Sequence, residues 1–305
     1  MAETGIPPVS RTLLKRLILG QEECHGKVVG QCCVPLGAVP ESLAYIAVLR
    51  SGLVNLLGVA LMVTLACRPD AGAEHYTIVQ RFPHDTAAYT QGLVHAGGDS
   101  IYESTGRYGR SELRVVRLSS GQVIRAVPLP ADRFGEGLAL LNDKLYQLTW
   151  KSGVGYVYHT GTLQLVDSFP YAGEGWGLTS DGSSLILGDG TAKLRFLSPG
   201  DFGVSREITV RDHGSPLSQL NELEFVNGVL LANVYQSDWI VSIDPTTGNV
   251  LSWLNFAGLL RPRDRTNTTD VLNGIAFDTT TGNLFVTGKL WPALFEVRLT
   301  EPDGH

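Results

Sequence analysis

Short apolar runs alternate with polar turns along most of the chain, and the pattern recurs at a regular interval. Each repeat has an apolar run, a turn rich in Gly, Asn or Asp, and a second apolar run, which is typical of a β-hairpin. The repeats begin at intervals of 45, 40, 45 and 52 residues, at Gln91, Glu136, Trp176, Asn221 and Asn273. More strand-like sequence follows each hairpin, so one repeat holds about four strands in about 45 residues, the period of a propeller blade.

The two ends of the repeat region indicate how a ring of blades would close. After Lys289 one strand-like run remains, at 294–299, while an extra run at 76–82 precedes the first repeat. If the N-terminal run completes the last blade, the ring has no exposed edge. We therefore predict an all-β, five-bladed β-propeller over about residues 74–300. The longest interval contains RPRDRTNTTD at 261–270, which we predict to be a surface loop.

Composition supports a folded, glycine-rich β-protein. Glycine accounts for 35 of the 305 residues, and only 18% of the residues are charged. These values argue against a coiled coil or a charged disordered chain. The net charge of −6 gives no basic surface for nucleic acid, and we expect no nucleic-acid partner.

The cysteines and one long apolar run set the first part of the chain apart. All four cysteines lie in it, at 24, 32, 33 and 67, so residues after Cys67 contain no catalytic thiol or disulfide. The apolar run at 53–66 has the length of a signal-peptide core, and Ala66-Cys67 resembles a bacterial lipoprotein signal. We predict an N-terminal extension at 1–73 and a catalytic propeller at 74–305.

The extension leaves the start of translation open. Residues 1–47 fit poorly before a signal peptide, and a start near Val48 would give a short n-region followed by the apolar run. The alternative is a real N-terminal extension with one membrane anchor. Either way we expect an exported protein, periplasmic or on the outer face, with Cys67 as its lipid anchor and the membrane contacted only there.

Aligning the repeats gives two sets of equivalent positions, here called columns, whose side chains are more typical of a functional site than of an apolar core. The first column holds Gln91, Glu136, Trp176, Asn221 and Asn273, and the second, at the ends of the second strands, holds Gly106, Trp150, Gly190, Tyr235 and Lys289. Because the two strands of a hairpin are antiparallel, both columns should meet at one mouth of the ring. Buried polar groups need partners, so this set predicts a pocket for a small polar molecule.

Each of these residues also has a purely structural interpretation. Glu136 and Lys289 could form a channel ion pair, the two tryptophans could be packing residues, and the three amides could bond to one another. The seven histidines show no metal-binding spacing, and His84 and Asp85 are adjacent but have no further ligand residues at metal-binding spacing. We therefore expect no metal and no cofactor. GRYGRSEL is better explained as a turn than as a phosphate-binding loop.

Several motifs together resemble the plant and bacterial glutaminyl-peptide cyclotransferases, over about residues 76–299. They are RFPHDTAAYTQGL, ESTGRYGRSELR, FGEGLA, LTWK, GWGLTSDG, LGDGTAKL, NELEFVNG, IDPTTG, LNGIAFD and VTGKLWPALFEV. The resemblance implies a five-bladed propeller, unrelated to the zinc-dependent animal enzyme. It also implies an activity that converts the N-terminal glutamine of peptides or proteins to pyroglutamate and ammonia.

The resemblance implies roles for the two columns. Glu136 would move a proton from the attacking α-amine to the leaving amide nitrogen, and Lys289 would stabilise the oxyanion or tune the acid. Gln91, Asn221 and Asn273 would hold the substrate, with Trp150 and Trp176 as walls. Tyr235 departs from the tryptophan usual in the family.

Two other functions remain open at this level. One is a non-catalytic extracytoplasmic propeller that binds peptides or small polar ligands. The other is a propeller hydrolase or lactonase, which usually needs several channel carboxylates for a metal, whereas the first column has only Glu136. We expect a monomer that acts on N-terminal glutaminyl peptides or proteins.

Overall fold

A computed structural model of the protein describes residues 75–300, in which twenty strands form five four-stranded antiparallel sheets. The first sheet contains β2 (Thr90–Gly97), β3 (Ser100–Thr105), β4 (Glu112–Arg117) and β5 (Gln122–Pro128). The second contains β6 (Gly135–Leu141), β7 (Lys144–Thr149), β8 (Val154–His159) and β9 (Leu165–Pro170). The third contains β10 (Leu178–Ser180), β11 (Leu185–Gly188), β12 (Lys193–Leu197) and β13 (Val204–Thr209).

The other two sheets complete the set. The fourth contains β16 (Leu220–Val226), β17 (Val229–Val234), β18 (Trp239–Ile243) and β19 (Val250–Asn255). The fifth contains β20 (Leu272–Phe277), β21 (Leu284–Gly288), β22 (Ala293–Thr300) and β1 (His75–Pro83). A two-stranded ribbon, β14 (Arg211–Asp212) with β15 (Ser215–Pro216), lies between the third and fourth sheets in the chain.

Burial falls from the first strand of each sheet to the last. In β6 six of seven residues are buried, whereas in β9 only one of six is. The first strands contact one another in cyclic order: β2 with β6, β6 with β10, β10 with β16, β16 with β20, and β20 with β2. The first strands are therefore the inner strands of a ring of five blades, which confirms the predicted propeller.

The N-terminal strand closes the ring. Strand β1 pairs with β22 from His75 opposite Thr300 to Pro83 opposite Ala293. The fifth blade thus takes three strands from the end of the described chain and one from its beginning. In the structure, the two strands predicted at 76–82 and 294–299 each extend one residue further at both ends than the prediction.

Close packing around the axis explains the glycines that follow the first-column residues. A Cβ on Gly137 would lie 2.4 Å from the backbone nitrogen of Leu178, and a Cβ on Gly177 would lie 2.0 Å from the carbonyl oxygen of Asn221. Both distances are far below van der Waals contact, so a side chain there would push neighbouring inner strands apart.

In the fourth blade the equivalent position is Glu222, which fills the axis instead. Its fully buried carboxyl group accepts hydrogen bonds from the backbone nitrogens of Leu93 (3.3 Å) and Ile275 (2.9 Å). One side chain of the fourth blade therefore joins the first and fifth blades. Burial raises the pKa of Glu222 well above its usual range, and the nearby Glu224 carboxylate adds to the effect.

The longest connection, between β19 and β20, contains a short 3-10 helix at Pro262–Asp264 and is mostly exposed, as predicted for residues 261–270. The N-terminal extension at 1–73, its apolar run and Cys67 lie outside the described residues. Across 75–300 no helix is long and apolar enough to cross a bilayer.

Candidate functional site

The two sequence columns meet at one end of the ring. Four first-column residues, Gln91, Glu136, Asn221 and Asn273, are each the second residue of an inner strand, and Trp176 lies two residues before β10. The second-column residues follow the second strands, where β3, β7, β11, β17 and β21 end. We call this end of the ring the mouth.

A cavity of about 280 Å³ opens at the mouth. All five blades contribute to its lining, which consists of Tyr89, Gln91, Phe134, Glu136, Trp150, Trp176, Asn221, Tyr235 and Lys289. Seven of the eight residues predicted for catalysis or substrate binding are in this set. The structure therefore places Glu136 and Lys289 on the same cavity.

Asn273 is the exception. Its side chain is fully buried, and its Nδ2 donates to the Thr90 carbonyl oxygen at 3.0 Å and to Gln91 Oε1 at 3.3 Å. Asn273 is absent from the cavity lining, in contrast to the predicted direct contact with substrate. Its position behind Gln91 orients that amide instead.

Glu136 is a buried part of the cavity lining, with 4% of the residue exposed. Gln91 Nε2 donates a hydrogen bond to Glu136 Oε1 at 2.8 Å. Burial raises the pKa of Glu136 well above its usual range, although the Lys289 ammonium and the Gln91 hydrogen bond act in the opposite direction. Burial therefore favours the protonated form of this carboxyl group, which is the form that can donate a proton.

Lys289 is equally buried, with 3% of the residue exposed. Its Nζ lies 4.9 Å from the ring centre of Tyr89 and 5.1 Å from that of Tyr235, within the range of cation–π interactions. Burial lowers the pKa of Lys289, while Glu136 and Asp270 act to raise it. Between described residues no ion pair within 4 Å joins Lys289 to Glu136, so the two groups do not neutralise each other by direct contact.

Two indoles form one wall and share an acceptor. Glu174 Oε2 accepts a hydrogen bond from Trp150 Nε1 at 2.7 Å and from Trp176 Nε1 at 2.9 Å. These bonds hold both rings in fixed orientations around the cavity. They also lower the pKa of the Glu174 carboxyl group, with the Trp176 bond as the largest cause.

The glycines of the second column make room for these rings. A Cβ on Gly190 would lie 2.7 Å from the indole of Trp176, and a Cβ on Gly106 would lie 2.2 Å from the ring of Phe134. Gly190 also has a φ of +80°, which side chains rarely adopt. The alternation of glycine and large residues in this column therefore follows from packing at the mouth.

Comparisons with known proteins agree with this geometry. The family model described as glutamine cyclotransferase matches residues 54–299. The chain belongs to this family. It is 42% identical over 229 residues to the glutaminyl-peptide cyclotransferase of Arabidopsis thaliana, covering 73% of this chain and 71% of the plant protein. The crystal structure of Myxococcus xanthus glutaminyl cyclase superposes with a TM-score of 0.70 at 40% identity, covering 75% of this chain and 97% of the bacterial one.

Three residues in or beside this cavity were missed in the sequence. Tyr89, Phe134 and Glu174 each stand two residues before a first-column residue, namely Gln91, Glu136 and Trp176. In extended chain, residues two apart point to the same side. The positions two residues before the first column would therefore have identified them.

The resemblance gave tryptophan as the usual family residue at the position of Tyr235. Here the Tyr235 and Trp176 rings form a T-shaped contact, with ring centres 5.6 Å apart and ring planes at 84°. The phenol therefore retains both an aromatic contact with the wall and the cation–π contact with Lys289. Both contacts follow from its position directly after β17 at the mouth.

His84 and Asp85 belong to a buried ionic network rather than to a metal site. Glu103 binds His84 Nε2 at 3.0 Å and Arg114 Nη2 at 2.8 Å, and Arg114 Nη1 reaches Asp85 at 3.0 Å. Burial alone would lower the pKa of His84, but the Glu103 carboxylate and the Trp291 carbonyl outweigh it and raise this pKa. Within residues 75–300 no group of three or more His, Cys, Asp or Glu is arranged to hold a metal ion.

The shared acceptor of the indole wall gives a testable prediction. We expect Glu174→Ala to raise KM about 3- to 10-fold, because two hydrogen bonds that orient Trp150 and Trp176 are lost. Glu174→Gln keeps a side-chain oxygen as an acceptor and should raise KM less. Steady-state kinetics with a glutaminyl dipeptide, together with thermal unfolding of both variants, checks this. An unchanged KM for Glu174→Ala would contradict the proposed role of Glu174.

Proposed function

We propose that this protein is a glutaminyl-peptide cyclotransferase that uses Glu136 as its proton shuttle. It closes the N-terminal glutamine of peptides or proteins into pyroglutamate and releases ammonia. The observation that carries the mechanism is a buried carboxyl group of raised pKa in the lining of a cavity that is also lined by a buried ammonium group. Membership of the glutamine cyclotransferase family supports the reaction itself.

The cavity suits a single amino-acid residue. Its volume of about 280 Å³ lies just below the range of about 300–1,000 Å³ that is typical of small-molecule sites. Aromatic walls would contact the methylene groups of a glutamine side chain, and the amide of Gln91 can bond to its polar end. A substrate held at both ends brings its α-amine close to its own γ-carbonyl, which removes most of the orientational cost of ring closure.

The reaction forms one carbon–nitrogen bond and breaks another. The neutral α-amine attacks the γ-carbonyl carbon, and the resulting tetrahedral intermediate expels the amide nitrogen as ammonia. The attacking nitrogen must lose a proton and the leaving nitrogen must gain one. A single carboxyl group can accept the first and donate the second, and the burial that raises the pKa of Glu136 makes its carboxylate a stronger base for the first step.

Lys289 supplies positive charge where the intermediate carries negative charge. Its ammonium group is held among aromatic rings with little exposure, so its field on an oxyanion is screened less than it would be in water. Trp150 and Trp176 reduce the access of water to the intermediate. That protection favours ring closure over hydrolysis to glutamate.

The central test removes the carboxyl group while keeping its shape. We expect Glu136→Gln to lower kcat about 100- to 10,000-fold, because an amide cannot relay the proton. Ammonia release from a glutamine-initiated dipeptide measures this, with Glu207→Gln on the outer strand β13 as a matched control. A zinc chelator should leave the wild-type rate unchanged. No ammonia release by the wild type would favour the non-catalytic binding propeller, and wild-type turnover by Glu136→Gln would remove Glu136 from the mechanism.

The opposing effects of burial and charge predict a shift in pH dependence. The Lys289 ammonium lowers the pKa of Glu136, so Lys289→Met should raise that pKa further. We expect the limb of the kcat/KM profile that reports Glu136 to move to higher pH, with a lower maximum because the oxyanion loses a cation. Profiles of the two proteins over the same pH range measure the shift. A limb that stays in place or moves to lower pH would contradict the coupling between the two groups.

We further propose that the protein is exported and held to the membrane through lipid on Cys67, and that it acts as a monomer. The apolar run at 53–66 followed by Ala66-Cys67 supports the anchor, and the supply of all cavity residues by one ring supports the monomer. Mass spectrometry should find acyl groups on an N-terminal Cys67, and Cys67→Ser should release the protein from membranes. An unmodified thiol would refute the anchor, and a dimer mass by ultracentrifugation of the released protein would refute the monomer.

A further inference from the structure

The loop between β3 and β4, residues 106–111, lies beside the cavity and has no part in the mechanism above. It contains the RYGR sequence, which is predicted to form a turn. The loop is tied to the site at its first residue, because Gly106 N donates to the carbonyl oxygen of Tyr89 at 2.8 Å. The ring of Phe134, which lines the cavity, occupies the space next to Gly106.

Hydrogen bonds hold this loop in one shape. Gly109 N donates to the Ala131 carbonyl at 2.9 Å, and Ser111 Oγ donates to the Arg107 carbonyl at 2.8 Å. Ser111 Oγ also accepts from Gly135 N at 2.9 Å, next to Glu136 in the chain. The loop is therefore attached to the inner strand of the second blade.

The backbone within the loop is strained. Arg107 has a φ of +112°, a backbone conformation that residues other than glycine rarely adopt. Its guanidinium lies 4.8 Å from the ring centre of Tyr89, a second cavity residue. Strain of this kind persists where surrounding contacts impose it. Here one such contact is between Arg107 and Tyr89, which lines the cavity at the mouth.

The strained loop exposes an aromatic side chain at the mouth. Tyr108 is 54% exposed, and its ring centre lies 5.5 Å from that of Phe134, edge-on. Phe134 in turn lies 5.6 Å from Trp150, so three rings lead from the cavity wall outward. Every other large apolar side chain exposed in residues 75–300 belongs to a strand, as for Ile78 and Val204.

The rest of a bound peptide must extend out of the cavity through this mouth. If glutamine occupies the cavity, its carbonyl carbon continues into the second residue, about 3.3–3.6 Å further along the chain. The step from Phe134 to Tyr108 is 5.5 Å, which the side chain of that second residue can cover. An aromatic side chain there can pack against the Tyr108 ring, and the exposed Arg107 and Arg110 of the same loop add positive charge nearby, which favours a π-system.

We propose that Tyr108 forms a binding subsite for an aromatic side chain in the residue that follows the N-terminal glutamine. This subsite rests on the proposed cyclotransferase function and adds a substrate preference to it. Tyr108 contacts the second residue and takes no part in the proton transfer.

The test compares two uncharged peptides, Gln-Phe-Gly amide and Gln-Gly-Gly amide, by ammonia release. For the wild type we expect kcat/KM to be about 3- to 10-fold higher for the phenylalanine peptide, mainly through a lower KM. In Tyr108→Ala this ratio should fall to about one, whereas Tyr108→Phe, which keeps the ring, should retain it. Comparing the ratio removes any general loss of activity or folding, since such a loss affects both peptides equally.

Two results would overturn the subsite. One is a wild-type ratio close to one, and the other is a Tyr108→Ala variant that keeps the wild-type ratio even if both rates fall. Ammonia release from neither peptide by the wild type would contradict the cyclotransferase activity itself, and the subsite with it.

Discussion

The close approach of five inner strands around one axis is the constraint on which the rest of this structure depends. Neighbouring backbones come so near that a Cβ on Gly177 would lie 2.0 Å from the carbonyl of Asn221. Glycine is therefore required after the first-column residues wherever a neighbouring strand passes. Glu222 uses the same crowding differently, because its carboxyl group accepts two backbone N–H groups from other blades. Each blade has two neighbours because the inner strands contact one another in a closed cycle, and the pairing of β1 with β22 joins the two ends of the described chain in the fifth blade.

The crowded axis also accounts for the electrostatics of the site. Glu136 and Lys289 come from blades that are not adjacent in the ring, and both are almost completely buried. Burial disfavours the charged form of each group, so the pKa of the acid rises and that of the amine falls. Without direct contact, each group stays available to a third molecule in the cavity. The rings of Tyr89 and Tyr235 near Lys289 stabilise its cation without supplying a competing carboxylate.

Support around these two groups extends beyond the residues that line the cavity. Asn273 orients Gln91, which bonds to Glu136, while Glu174 orients both indoles of the wall. The ionic network of His84, Glu103 and Arg114 lies at the seam where the chain enters the first blade, and His84 binds the Trp291 carbonyl of the fifth blade. These contacts fix the position of side chains that come from distant parts of the chain, as a preorganised site requires.

The spacing of hairpins in the sequence by itself determined the number of blades, the strand that closes the ring and the two columns that meet at the mouth. Those features are local or periodic, because side chains in a strand alternate with a period of two residues and blades recur about every 45 residues. Tertiary structure alone decided that Asn273 lies behind Gln91, that one carboxylate holds both indoles, and that Lys289 contacts rings rather than Glu136. Such outcomes depend on distances of a few ångströms between residues far apart in the chain. A one-dimensional pattern can indicate which side chains meet at the mouth, but only the closed ring determines which atoms touch.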